Sequence, residues 1–190
     1  MNNELIIDPL AIIEKYYKKG TSIYTVLVNH SEHVRNKALE IATNHPELQL
    51  DKEFIAEAAM MHDIGIYLCD APRIYCHGSH NYIQHGYLGA EILRSEGLNK
   101  HALVCERHTG TGISLEMILK NNFPLPHRDL LPVSKEEQVI CYADKFFSKT
   151  KLNETLSIEH IQTQLKKYGE SGVRQFNEWN ILFEGTSSFQ

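Results

Sequence analysis

The chain has 190 residues, of which 42% are hydrophobic and 23% charged, with a formal net charge of -5. That is an ordinary globular composition and enough chain to bury a substantial core in one unit. The mild acidity disfavours a general nucleic-acid or anionic-membrane binder, and no apolar run approaches the roughly 20 residues of a bilayer span.

The elements read in chain order are helical almost throughout. The N-terminal segment carries acids early and no basic run before its apolar part, unlike a signal peptide, so a cytoplasmic protein is expected. Asp8 before Pro9 is an N-cap with proline at the first helical position, and Gly20 stops that helix. A second helix runs from about Ser22 to Asn44, with Val26, Val34, Ala38, Ile41 and Ala42 on its stripe. Asp51 caps a third, which carries Ile55, Ala58 and Ala59 and stops at Gly65. A loop from Tyr67 to about Asn81 is long enough to suspect function.

The fourth helix carries Leu88, Gly89, Ile92 and Leu93 and ends before Gly97. A fifth spans about Lys100 to His108 and breaks at Thr109-Gly110-Thr111-Gly112, and Ser114 opens a short sixth. Phe123 to Pro132 is an extended, proline-punctuated connection. Ser134 with Glu137 is a capping box for a seventh helix reaching about Phe147. Ser157 caps a last long helix, to about residue 178, with Ile158, Ile161, Leu165 and Tyr168 on one face. No strand alternation, internal repeat or domain boundary is visible. The expectation is an all-α bundle in a single domain, with a motif-bearing core of about 22–150.

The four cysteines, at 69, 76, 105 and 141, form no C-x-x-C pair and read as reduced thiols. Cys69, Cys76 and His77 could be argued as a zinc cluster, but two cysteines seven apart in a loop more often bind nothing. Histidine is the anomaly, at eleven residues. Helix neighbours three, four and seven apart share a face. By that rule His30, His62, Asp63, His85, His108 and Asp144 all project from apolar faces of five helices. A lone histidine on such a stripe is usually a core residue bonded to a carbonyl. Six such groups together are different, because a buried carboxylate needs pairing or a cation. Metal ions would satisfy all six, and this donor set suits borderline divalent metals. His33 lies beside Asn36, Lys37 and Glu40 and reads as exposed or supporting. His45, His101, His127 and His160 show no inward pattern. His77 and His80 flank the presumed site, where solvation is the simpler reading.

His62-Asp63-Ile64-Gly65 resembles the doublet motif of the HD superfamily, written HDIG in many members. The segment from His30 to Ala42 resembles the first histidine helix of that superfamily, and Tyr142-Ala143-Asp144-Lys145 its closing aspartate. Around His85 and His108, HGYLGAE and ERHTG resemble the two intermediate histidines of bimetallic members. The likeness covers about Ser22 to Thr150. It extends to small bacterial and archaeal HDIG proteins and to HD-type symmetrical diadenosine tetraphosphatases. It implies that His30, His62, Asp63 and Asp144 hold one metal, that His85 and His108 hold a second, and that Asp63 bridges them. It also implies a phosphohydrolase acting on a monoester, diester or anhydride, preferably of a nucleotide or dinucleotide. The Gly-Tyr-Pro signature of cyclic-di-GMP phosphodiesterases is absent. Ile66-Tyr67 stands near where stringent-response hydrolases carry an acidic pair, so both substrates are disfavoured.

Two divalent cations can activate a shared water near neutral pH and clamp a phosphate oxygen. Iron is the first expectation, with manganese, nickel, cobalt and zinc as alternatives. Asp63 and Lys145 are the expected catalytic groups. Lys145 is also the first candidate for phosphate contact and Arg128 the second, with Arg107, His80 and Tyr82 behind them. The alternatives are a solvent-facing Lys145 and an Arg128 paired with Asp129. The expected partner is a small phosphorylated molecule, with no nucleic acid and no membrane, and a homodimer is the quaternary expectation. Two rival readings differ in class: a di-iron oxygenase of the HD type, and a regulatory module that holds metal without chemistry.

Overall fold

A computed structural model of the protein describes residues 7–167 and 169–185, the side chain of Asn153 apart. Helix α1 (Pro9–Ile13) is capped by Asp8, whose carboxylate accepts from the Leu10 and Ala11 N–H groups. It ends well before Gly20, and turns fill the interval. Helix α2 (Ser22–Asn44) has the expected bounds, with the Thr21 hydroxyl capping the Tyr24 N–H. Helix α3 (Lys52–Met61) is capped by Asp51. A tight turn at Ile66–Leu68 follows, then the hairpin of β1 (Asp70–Ala71) and β2 (Cys76–His77). The anticipated loop is therefore ordered: the Gly78 N–H donates to the Cys69 carbonyl and the His80 N–H to that of Leu68.

A single turn at Tyr82–Gln84 leads into α4 (His85–Ser95), followed by α5 (Asn99–Arg107) and α6 (Leu115–Asn121). Helix α7 (Lys135–Asp144) starts in the Ser134–Glu137 capping box, with both reciprocal bonds made. It ends at Asp144, short of the expected Phe147, and the chain turns into β3 (Phe147–Ser148), paired antiparallel with β4 (Lys151–Thr155). The all-α expectation is thus corrected to a mostly helical fold with two small hairpins. Strands of two residues leave no alternation to read, and β4 is the polar run KLNET.

The single C-terminal helix is also corrected. It is two helices, α8 (Ile158–Lys166) and α9 (Glu170–Glu184), divided at Gly169, whose φ of 121° no helix permits. Tyr168, which the sequence set on that helix's apolar face, lies outside the described residues. Ile161, Leu165, Phe176, Trp179 and Phe183 bury themselves against α7, where the rings of Tyr142 and Phe176 stack 5.2 Å apart. Fully burying side chains of this size stabilises by roughly 1.5–3 kcal/mol each.

The buried apolar residues form two large clusters. One joins the C-terminal half of α2 (Val34, Ala38, Ile41) to α3, α7, α8 and α9. The other joins the N-terminal half of α2 (Val26, Leu27) to α1, the Ile64–Ile66 turn, α4 and α5. His30 sits on α2 between Leu27 and Val34, where one cluster gives way to the other.

Candidate metal centre

Six titratable groups converge at that seam, all of them buried. His30 comes from the middle of α2, and His62 and Asp63 from the turn that ends α3. His85 opens α4, His108 caps the C-terminus of α5, and Asp144 is the last residue of α7. Five of the six therefore sit at or just past helix ends, where the chain changes direction and side chains of different helices can meet.

Glycine makes the approach possible. A Cβ at Gly65 would stand 2.3 Å from the His85 carbonyl oxygen and 2.4 Å from the Gly89 nitrogen. A Cβ at Gly86 would meet the Cys105 carbonyl oxygen at 2.6 Å, and one at Gly89 the Cys105 sulfur at 2.5 Å. The Gly65 of the HDIG run thus lets α4 press on the turn bearing Asp63. Gly86 and Gly89 let α5 press on α4, which brings His108 to His85.

The ligand atoms fall into two groups that share Asp63. Asp63 Oδ2 lies 3.2 Å from His30 Nε2 and 3.2 Å from His62 Nε2. Asp144 Oδ1 completes that group, 2.9 Å from His30 Nε2 and 3.4 Å from His62 Nε2. Asp63 Oδ1 faces the other way, 3.3 Å from both His85 Nε2 and His108 Nε2. Ligands about 2.1 Å from one shared ion lie roughly 3.0–3.4 Å from each other, so both groups have the spacing of a metal site.

Three of the histidines are held in one tautomer. The Nδ1 atoms of His62, His85 and His108 lie 2.7 Å from the carbonyls of Ala59, Tyr82 and Cys105, each three residues back. A carbonyl can only accept, so each Nδ1 carries a proton and each Nε2 presents a lone pair when the ring is neutral. His85 Nε2 and His108 Nε2 then face each other at 3.0 Å as two acceptors, an arrangement a cation between them and Asp63 satisfies. His62 Nε2 and both Asp63 oxygens have no hydrogen-bond partner among the described residues, so buried polar atoms are left for a metal to satisfy. His30 differs: its Nδ1 is buried without a partner.

The electrostatics separate the two groups. Burial opposes a charge on His62, but Asp63 and Asp144 outweigh it and raise its pKa to about 9. Burial dominates at His108 and pushes it down to about 4. Burial also opposes ionisation of Asp63, yet Lys149 and His62 hold it well below the usual carboxylate range. Lys145 and His30 do the same for Asp144 against its own burial. A divalent ion requires neutral imidazoles and ionised carboxylates, so the carboxylates and His108 are ready for one, while His62 must first lose a proton.

The other expected site residues divide. Lys145 lies at the centre, its Nζ 2.7 Å from Asp144 Oδ2 and donating to the His108 carbonyl at 3.2 Å. Tyr82 stacks on His85, ring centroids 4.6 Å apart. Arg107 pairs instead with Glu137 at 2.9 Å, and Arg128 with the buried Glu106, not with Asp129. His80 and His77 are exposed. Cys69 and Cys76 are buried thiols, and neither belongs to a ligand group among the described residues. His33 stacks on Phe147 at 5.4 Å. His101, which the sequence left without an inward pattern, is buried 2.9 Å from Glu57 Oε2.

One residue escaped sequence reasoning altogether. Lys149, in the turn between β3 and β4, places Nζ 2.6 Å from Asp63 Oδ2. Burial works against its charge, but Asp63, Tyr82 and Asp144 keep it protonated. It lies beyond the end of α7, where no helical periodicity assigns it a face.

An uncharacterized protein of Methanocaldococcus jannaschii is 37% identical over 114 residues, 60% of this chain and 60% of its own length. A tRNA (cytidine(56)-2'-O)-methyltransferase of Thermoplasma volcanium is 30% identical over 167 residues, 87% of this chain and 43% of that protein. Its namesake from Picrophilus torridus is 30% identical over 135 residues, 70% of this chain and 35% of that protein. The chain therefore spans three-fifths of the first relative and less than half of the other two. No solved structure matches. Residues 27–148, well over half the chain and the whole of both ligand groups, match the family model described as HD domain, and the chain belongs to that family.

Proposed function

We propose that this protein is an HDIG-type metal-dependent phosphohydrolase that cleaves a phosphate ester or anhydride of a small molecule, a nucleotide or dinucleotide. The observation that carries the reading is Asp63, whose two carboxylate oxygens each face a different set of ligand nitrogens. His30, His62, Asp63 and Asp144 would hold one divalent ion, and Asp63, His85 and His108 the other, iron being the first choice. Bound there, such ions supply a water that ionises near neutral pH and a positive field for charge on a transferring phosphoryl group.

The chain's own residues do the rest. Asp63 fixes the separation of the two sites. The carbonyls of Ala59, Tyr82 and Cys105 aim three imidazoles so that no reorientation is needed on binding. Lys145 ties the end of α7 to the end of α5 and neutralises part of the carboxylate charge. Tyr82 walls the His85 side. Among the described residues no helix is long and apolar enough to cross a membrane, and the net charge of -5 does not favour a polyanion, which supports a small diffusible substrate.

The test is elemental analysis of the purified protein. A substrate screen under anaerobic conditions with iron, manganese, nickel and cobalt follows, over phosphomonoesters, diesters and dinucleotides. Metal-dependent hydrolysis, abolished by a chelator, is expected, read as free phosphate from monoesters and as the product monoesters or nucleotides from diesters and dinucleotides. The reading fails if fully loaded protein leaves every phosphoester intact, or if a di-iron preparation consumes oxygen with an organic substrate instead.

A further inference from the structure

We propose that Lys149, not Lys145, is the residue that meets the phosphate of the substrate. The inference rests on the phosphohydrolase reading and names a contact that the sequence had given to another lysine. Both ammonium groups pair with a carboxylate of the centre, Lys145 with Asp144 and Lys149 with Asp63, but Lys145 has a second engagement on a backbone carbonyl. Lys145 Nζ is engaged twice within the protein, by Asp144 Oδ2 at 2.7 Å and the His108 carbonyl at 3.2 Å. Its donors are committed to bracing two helix ends.

Lys149 Nζ sits 2.6 Å from Asp63 Oδ2, yet that oxygen has no well-directed hydrogen bond. Among the described residues its carboxylate neighbour within 4.0 Å is Asp63 and not Asp144. The ammonium therefore stands against the carboxylate shared by both ligand groups, on the oxygen that faces His30 and His62. It is also where solvent reaches. Lys149 lines a cavity of about 180 Å³ with Asp144, Lys145 and Leu156, and a second of about 260 Å³ with Tyr82, Arg73 and Ile74. Its side chain, 14% exposed, forms the partition between them. Lys149 lines both cavities and touches the shared carboxylate, whereas Lys145 lines the first cavity alone, and Tyr82 lines the second beside Lys149. A charge-assisted bond from lysine to a phosphate oxygen is worth about 1.5–3 kcal/mol, a factor of roughly ten to a hundred in affinity.

The test uses manganese-loaded protein and inorganic phosphate as the probe, with metal content measured on every sample. Lys149→Met should keep its manganese and weaken phosphate binding by about ten- to a hundredfold in calorimetry. Lys149→Gln should do the same if the methionine variant folds poorly, and Lys149→Arg should recover part of the loss. Lys145→Met should instead lower metal content or melting temperature. The proposal is overturned if the Lys149 variants bind phosphate as tightly as the natural protein. It is equally overturned if they lose manganese along with phosphate, since Lys149 would then support the centre only. If the natural, fully loaded protein binds no phosphate and cleaves no phosphoester, the phosphohydrolase reading itself has failed.

Discussion

The group around His30, His62 and Asp144 and the group around His85 and His108 share one carboxylate and differ in what surrounds it. The first is carried by α2, the end of α3 and the end of α7, and it holds two carboxylates against two imidazoles. That excess of negative charge keeps a proton on His62 up to about 9. The second is carried by α4 and α5, has only Asp63 as an acid, and leaves His108 neutral down to about 4. The first group is held by charge and the second by close helix packing over glycines. Charge makes a group in which a proton on His62 competes with a cation, whereas close packing makes a group that added bulk should disrupt.

Removing the shared residue should abolish the distinction. Asp63→Ala is expected to lose metal from both groups and cut turnover by about a thousandfold or more, read by elemental analysis and steady-state rates. Retention of one full equivalent of metal would show that the groups do not depend on a common carboxylate.

Single-sided changes should separate them. His85→Ala is expected to leave one metal per chain, and His62→Ala to empty the first group, with activity lost in both. Loss of all metal from His85→Ala would mean that the first group cannot stand alone.

Protons should then reach one group and not the other. Below about pH 9 a cation binding His62 must expel a proton, so affinity at the first group should rise about tenfold per pH unit up to that value. His108 has no proton to give up in the same range, so binding at His108 should release none. Metal titrations in two buffers of different ionisation enthalpy count the protons, and equal counts at both groups would contradict the assignment.

Bulk should strike the other side. Gly89→Ala is expected to destabilise by about 1–3 kcal/mol and to weaken the second group more than the first, since the new methyl group meets Cys105 and the Gly65 nitrogen. Urea unfolding and metal content test this together. The smallest effect belongs to His33→Ala, which loses a stack on Phe147 and should retain most activity and metal. A dead His33 variant would move the first ligand off His30.

Much of this was legible because helices make faces readable. His30 follows Val26 and Leu27 with helical spacing, so its burial could be read directly from α2. The capping signals at Asp8, Asp51, Ser114, Ser134 and Ser157 all correspond to observed caps. Periodicity fails where helices stop. Lys149 sits in a turn after α7 had been extended too far, and the break at Gly169 was absorbed into a longer apolar stripe. Arg107 and Arg128 were judged by their nearness in sequence to the site. Their actual partners, the buried acids Glu137 and Glu106, lie 30 and 22 residues away along the chain, a distance no local pattern spans. His101 was missed for the same reason, its partner Glu57 being 44 residues back.

Helix α2 runs through both apolar clusters, and His30 is placed where one hands over to the other. A cation bound at that junction would tie together side chains from α2, α3, α4, α5 and α7. On the proposed function, catalysis and the joining of the two apolar clusters would then depend on the same few atoms, and removing the metal is expected to lower the melting temperature as well as the activity.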